Sequence, residues 1–410
     1  MRIQKRYGDR LDEITNRLTA IRTLSPDGRP GFSSGEYSLL MSVMESAIDF
    51  NPAIPHADRP SLVREAVTGA AKESVLTAVS LQKFLASAER KYLRAPLKQF
   101  VLATALGVRG YHGLKTLRIN GVRISFAVSL PRKYDRGPIA DRVDEVASHV
   151  PADIVQVLAR VSARTSHAAF YQAQSSVDLI RALWNLVLNY GKYSLIMLPN
   201  APAKPINAIL PGSLHTLHLP DGVVVEEIFW LELQVLKRDW IFIADDKWPD
   251  VQKRANKLLS RLRSIKYRAE MENALVRYVR ALDEADPRSS FNRIWSVLEF
   301  VTDSVGDYDR LIRRASFLSQ DRERTLVRML LQHLRDVRNA IVHEDDERPN
   351  IQTYLEQVKL VTERLIMFHL RNGKRFESRA AAVDYLDTPV DNDAVRRRMR
   401  DYRRALLRKW

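Results

Sequence analysis

Between Trp248 and about residue 372, apolar side chains recur every three or four positions with few breaks, and this spacing predicts packed helices for the last third of the chain. One helix is marked by Ile294, Val297, Leu298 and Val301, with Trp295 beside them. A second starts near Thr325 and sets Val327, Leu330, Leu331, Leu334, Val337 and Ile341 on one stripe. A third carries Tyr354, Val358, Val361, Leu365 and Phe368. Loops holding Gly306 and Pro349 separate them. The stripe residues read as plain core, so the expected unit is a helical bundle over residues 263–375.

Arg338 stands out within that bundle. It lies four residues after Leu334 and seven after Leu331, which puts it beside the apolar stripe rather than opposite it. A guanidinium there loses solvation unless paired and cannot give up its proton. Either it snorkels to water at the edge of the stripe or it serves a site. His343 follows five positions later. On an uninterrupted helix the two differ by roughly 140° around the axis and ~7.5 Å along it. They can share a site by side-chain reach, by a helix ending near His343, or across a dimer axis. Pro349 disfavours helix at Arg348 and so makes an ending plausible. A helix C-terminus and the acidic run Glu344-Asp345-Asp346-Glu347 both favour an imidazolium, which predicts a raised pKa and an acid available near neutral pH. The alternative for a lone histidine is a solvated or structural role.

Arg338-Asn-Ala-Ile-Val-His343 resembles the R-x4-6-H motif of HEPN domains, including the polar residue that commonly follows the arginine. The upstream segment Phe291-Asn-Arg-Ile-Trp-Ser-Val-Leu-Glu299 is similar to the helix that opens these domains, especially in the ApeA-like branch. The resemblance covers about 110 residues of 410. It implies metal-independent RNA cleavage within a homodimer, without a cofactor. The 2′-hydroxyl attacks the adjacent phosphate and leaves a 2′,3′-cyclic phosphate and a 5′-hydroxyl. By this resemblance Arg338 stabilises charge on the phosphate, His343 assists proton transfer and Asn339 orients nearby groups. Glu299 is an accessory candidate whose alternative is a solvated helix glutamate. Many HEPN domains are binding modules, so the fold alone does not establish catalysis.

Residues 1–130 read as helices followed by a hairpin. Helices are expected from Ser34 through Ala47, from about Ser74 with Leu76, Val79, Leu81 and Leu85, and over Leu97–Leu106, with Pro52, Pro55 and Pro60 punctuating the first gap. Leu117–Ile119 and Val122–Phe126 flank Asn120-Gly121, the pair preferred for a two-residue type I′ turn. Residues 131–262 read as a mixed α+β region. A helix through Val177, Ile180, Leu183, Trp184 and Val187 ends near Gly191, and short strands are expected at Tyr193–Leu198, His215–Leu219 and Val223–Leu233. The fold class is therefore mainly α with a minor β component. His215 and His218 lie on opposite faces of a strand, which with Glu226 and Glu227 makes a poor metal site. Gly107, Gly110 and Gly113 match no phosphate-binding fingerprint and read as a flexible connection.

The formal net charge is +16, which attracts polyanions, RNA foremost. Residues 376–410 read as a basic tail whose arginines crowd together after Asp393, and Arg396, Arg397, Arg398, Arg400, Arg403 and Arg404 are candidate RNA contacts. Val395, Met399, Tyr402, Leu406 and Trp410 make a narrow apolar stripe among them, and Asp393 is a candidate helix cap. A disordered, solvated basic end is the alternative. The chain has no cysteine, which excludes thiol catalysis and cysteine-ligated zinc. No signal-peptide core or membrane-length apolar run is present, so no membrane insertion and a cytoplasmic location are expected. Two functions follow: an RNA-cleaving enzyme of the toxin or antiphage-defence type, or a non-catalytic nucleic-acid- or partner-binding scaffold that dimerises through the helical domain.

Overall fold

The computed structural model describes residues 1–410 except 28, 33–34, 74–75, 111–112, 141–142, 144–150, 152, 193–204, 233–239, 241, 344–349, 390 and 408–410. The protein is mainly helical with a smaller sheet, in agreement with its composition and periodicity.

The first 94 residues build a core of their own. Helices α1 (Leu11–Ala20), α2 (Glu36–Ala47), α3 (Arg59–Ala70) and α4 (Ala78–Arg94) close around Leu18, Met44, Val63, Val67, Leu81 and Leu85. Helix α3 falls where the prolines read as a gap. Pro60 sits in its first turn, where the missing N–H costs nothing, so it starts the helix rather than preventing it. Helix α4 begins at Ala78, not near Ser74, because Thr77 and Ser80 form a reciprocal capping box. Val79, expected in the core, is exposed as a result.

A six-stranded antiparallel sheet follows. Its strands are β1 (Lys98–Arg109), β2 (Leu117–Ile119), β3 (Val122–Ala127), β4 (Ile154–Ala163), β5 (Leu214–His218) and β6 (Val224–Leu231), in spatial order β6-β5-β1-β4-β3-β2. The segment Leu97–Leu106, expected to be a helix, is the central strand β1. Phe100 through Val108 are buried on both faces of the sheet, and an unbroken apolar run carries no period that tells strand from buried helix. The expected hairpin is present: Asn120 and Gly121 have φ of 50° and 81°, the turn geometry that their residue types permit. The expected strand at Tyr193–Leu198 lies outside the described residues.

Helix α5 (Ser166–Asn189) crosses the sheet. Thr165 caps it by accepting from the Ala168 N–H. Almost all of α5 is apolar or buried, because the sheet covers one side and helices α6 (Trp248–Arg263) and α7 (Arg268–Leu282) cover the other. Trp184 of α5 meets Trp248 edge to face at 5.6 Å. Then come α8 (Pro287–Thr302), α9 (Tyr308–Ser316), α10 (Asp321–His343), α11 (Ile351–Asn372), α12 (Arg379–Leu386) and α13 (Asn392–Leu407). Helix α8 packs against α7 and α11, and α10 lies on α9 and touches α8 and α11 more lightly.

One apolar core runs from Phe100 on β1 to Leu386 on α12. The boundary expected at 130/131 therefore falls between two paired strands, β3 and β4, and the one expected at 262/263 falls at the end of α6, inside the same core.

Candidate functional site

Helix α10 presents the motif. Leu331, Leu334 and Val337 are buried against the other helices, and the 3.6-residue turn brings Arg338 to the border of that stripe, where it is half-buried. Among the described residues no carboxylate pairs with it. Its Nη1 donates to Asn339 Oδ1 at 3.4 Å, and the Tyr308 hydroxyl donates to the same oxygen at 3.4 Å. Tyr308 opens α9, and its ring lies 6.3 Å from that of Trp295 on α8. Trp295, almost fully buried, donates Nε1–H to Glu299 Oε1 at 3.2 Å. Arg338 and Asn339 are thus held by a line of neighbours that reaches back to α8.

The structure brings Arg338 and Asn339 together but ties Glu299 to Trp295 rather than to Arg338. His343 is the last residue of α10, five positions beyond Arg338 without a break in the helix. Its side chain, and the acidic run 344–347 expected to raise its pKa, lie outside the described residues. Sequence reasoning missed Tyr308, since Gly306 read only as a loop. The signal was present: Asp307 caps α9 by accepting from the Arg310 N–H, and Leu311, Ile312 and Ala315 follow at helical spacing in the core.

The expected basic tail begins with α12, whose Ala382 and Leu386 belong to the core, and only its later part, α13, has no buried residue. Arg396, Arg397, Arg398, Arg400, Arg403 and Arg404 flank an apolar stripe of which Met399, Tyr402 and Leu406 are exposed. Arg396, Arg397 and Arg404 make loose ion pairs of 3.7–3.9 Å with Asp393, Asp391 and Asp401. The cap is Asp391, which accepts from the Ala394 N–H, rather than Asp393. Trp410 lies outside the described residues.

A buried charge network elsewhere was not legible in the sequence. Arg181 on α5 is fully buried and donates to Asp283 through Nη1 at 2.6 Å and Nη2 at 2.7 Å, and to Asp178 at 2.8 Å. Arg280 on α7 bridges Asp178, at 2.7 Å, and Glu232. His215 Nε2 stands 3.6 Å from Glu232 and its Nδ1 is 2.6 Å from Thr104 Oγ1. Burial pushes the Glu232 carboxyl up, but His215 and the Arg280 charge outweigh it and hold it at about 2. Burial lowers the pKa of the His215 imidazole, and the Glu232 carboxylate opposes that shift only in part. This network clamps strand β5 and the residue after β6 to α5 and α7. His218 is likewise buried, with Nδ1 3.0 Å from the Gly222 carbonyl and Nε2 2.9 Å from Thr216 Oγ1. Among the described residues no three His, Asp or Glu side chains gather in a metal-binding arrangement, and no helix is long and apolar enough to cross a membrane.

No protein-family model matches the chain, and neither does any curated protein or solved structure.

Proposed function

We propose that the protein is a metal-independent endoribonuclease of HEPN type, acting as a homodimer through the helices of residues 290–370. One observation carries the reading: a half-buried arginine without a carboxylate partner among the described residues, steadied by Asn339, five residues before a histidine at the end of the same helix. A guanidinium in that position favours an anion, and its planar donors suit phosphate oxygens. In the reaction the 2′-hydroxyl oxygen bonds to phosphorus, the bond from phosphorus to the 5′-oxygen breaks, and the 2′-hydroxyl proton departs as the 5′-oxygen gains one. His343 assists the proton transfers, and Arg338 stabilises charge on the phosphate. Arg338 and His343 diverge by roughly 140° on one continuous helix, and a second copy across a two-fold axis supplies the complementary pair. A toxin or antiphage effector is the setting the resemblance suggests, with the amino-terminal layers restraining or triggering the nuclease.

The scaffold reading draws on α13, an exposed arginine-rich helix that binds RNA without chemistry. Purified wild-type, Arg338→Ala and His343→Ala proteins separate the two. The nuclease reading expects wild-type cleavage in EDTA with 2′,3′-cyclic phosphate ends, loss of cleavage in both variants with RNA affinity retained, and a dimer by light scattering. Wild-type protein that binds RNA and never cleaves it, or that leaves 3′-hydroxyl ends, overturns the nuclease reading.

A further inference from the structure

A hollow of about 350 Å³ lies between the C-terminal end of α5, the outer face of α6 and the last turns of α11. That volume is within the roughly 300–1,000 Å³ typical of small-molecule sites. Leu258 and Met367 line its apolar floor, and Tyr190, half-buried at the end of α5, lines it too. Around it stand Arg254, Lys257 and Arg261, spaced three and four residues apart along α6, and Arg371 from α11. The α6 spacing places three like charges on one helix face, which is unfavourable without a counterion. Arg254 has Asp250 at 3.4 Å. Among the described residues Lys257, Arg261 and Arg371 have no carboxylate partner. Arg371 instead lies over the Tyr190 ring, 5.7 Å from its centroid.

A basic helix face meant only for water needs no apolar hollow beneath it, and an apolar hollow alone needs no ring of cations. The two together suit a ligand that is flat and apolar at one end and anionic at the other. We propose that this pocket binds a nucleotide group, with its phosphate on Lys257, Arg261 and Arg371 and its base against Tyr190, Leu258 and Met367. The base gains stacking and burial, and the phosphate gains charge-assisted hydrogen bonds. The group comes either from an RNA strand or from a free nucleotide. The pocket is separate from the arginine–histidine motif: Met367 lies sixteen residues, roughly 24 Å of helix rise, beyond the Ile351 end of α11 that follows the motif. The proposal concerns binding and does not depend on cleavage.

The test uses the full chain carrying Arg338→Ala, so that RNA chemistry and RNA affinity stay separate. Fluorescence anisotropy is measured with a short labelled single-stranded RNA and, in a second arm, with a fluorescent ATP. Charge reversal at the exposed Lys257 and the half-buried Arg261, Lys257→Glu with Arg261→Glu, is expected to weaken binding by at least about tenfold. It should also lower the RNA salt slope by about 0.7, the value for one neutralised phosphate on a single strand. Weakening with both ligands identifies a site open to free nucleotides, and weakening with RNA alone identifies a strand segment. Tyr190→Ala is expected to weaken both ligands about tenfold by removing the stacking platform, while inorganic phosphate competes as before. Unchanged affinity for RNA and ATP in the charge-reversed protein overturns the proposal. So does a defect confined to phosphatidylserine vesicles, which would assign the pocket to a membrane surface.

Discussion

Replacing Asp283 by alanine tests the buried clamp directly. Arg181 has no solvent exposure, and Asp283 accepts from it twice, at 2.6 and 2.7 Å. The second carboxylate on Arg181, Asp178, is shared with Arg280 at 2.7 Å. Asp283 also accepts from Asn207 Nδ2 at 2.8 Å. The substitution therefore leaves a buried cation that cannot deprotonate with half of its countercharge and strands an amide donor. Removing one partner of a buried ion pair costs about 3–5 kcal/mol. A slope of about 3 kcal/mol per molar urea, the upper end for small domains, converts that to a midpoint shift of about 1–1.7 M. Urea titration followed by far-ultraviolet circular dichroism reads the shift. Adding Arg181→Met to Asp283→Ala removes the uncompensated charge and is expected to recover part of the stability. A single-variant cost below about 1 kcal/mol, or a double variant no more stable than the single, refutes the claim that this network depends on paired charge.

Two further outcomes follow. The Glu232 carboxyl is held at about 2 when folded against an ordinary value of 4.5, so its contribution to stability is complete above the ordinary value and is lost as pH falls from there through about 2. Acid unfolding of Glu232→Gln should accordingly show a weaker pH dependence than the wild type in that window, and identical acid profiles would show that Glu232 does not titrate in this way. Deleting residues 392–410 should weaken RNA binding and flatten its salt dependence by about 0.7 for each phosphate the tail neutralises, while sparing cleavage at saturating RNA; an unchanged slope would remove the tail from the RNA interface.

What the sequence disclosed depended on how local the cause was. The turn at Asn120-Gly121 and the end of α5 at Gly191, with φ of 70°, follow from a residue or two and were legible. The strand β1 was not, because burial on both faces erases alternation. Helix α3 was hidden by Pro60, whose meaning depends on whether it falls in a first turn or an interior. At the candidate site, the position of Arg338 beside its stripe followed from helical geometry alone. Its link to Tyr308 did not, since Tyr308 and Asn339 lie 31 residues apart and meet only when α9 folds against α10. The clamp is the extreme case: Arg181 and Asp283 are 102 positions apart, and nothing near either predicts the other. Lys257 and Arg261 were not singled out from the sequence, because the hollow beside them is made only when three helices pack together.

The continuous core from β1 to α12 bears on which parts of the protein can move. Segments that share one core do not swing apart as separate bodies, and within it Trp184 meets Trp248 edge to face while one network clips β5 to α7. The natural slip plane lies earlier, between the two cores. There Asp58, buried at the foot of α3 and held by Tyr92 of its own core at 2.5 Å, accepts from Thr165 across the seam at 2.5 Å, and Arg164 donates to the Leu93 carbonyl at 3.2 Å. A few polar bonds yield at lower cost than a shared apolar interior, so movement of the first 94 residues against the rest of the protein is expected at this seam, beside the N-terminus of α5.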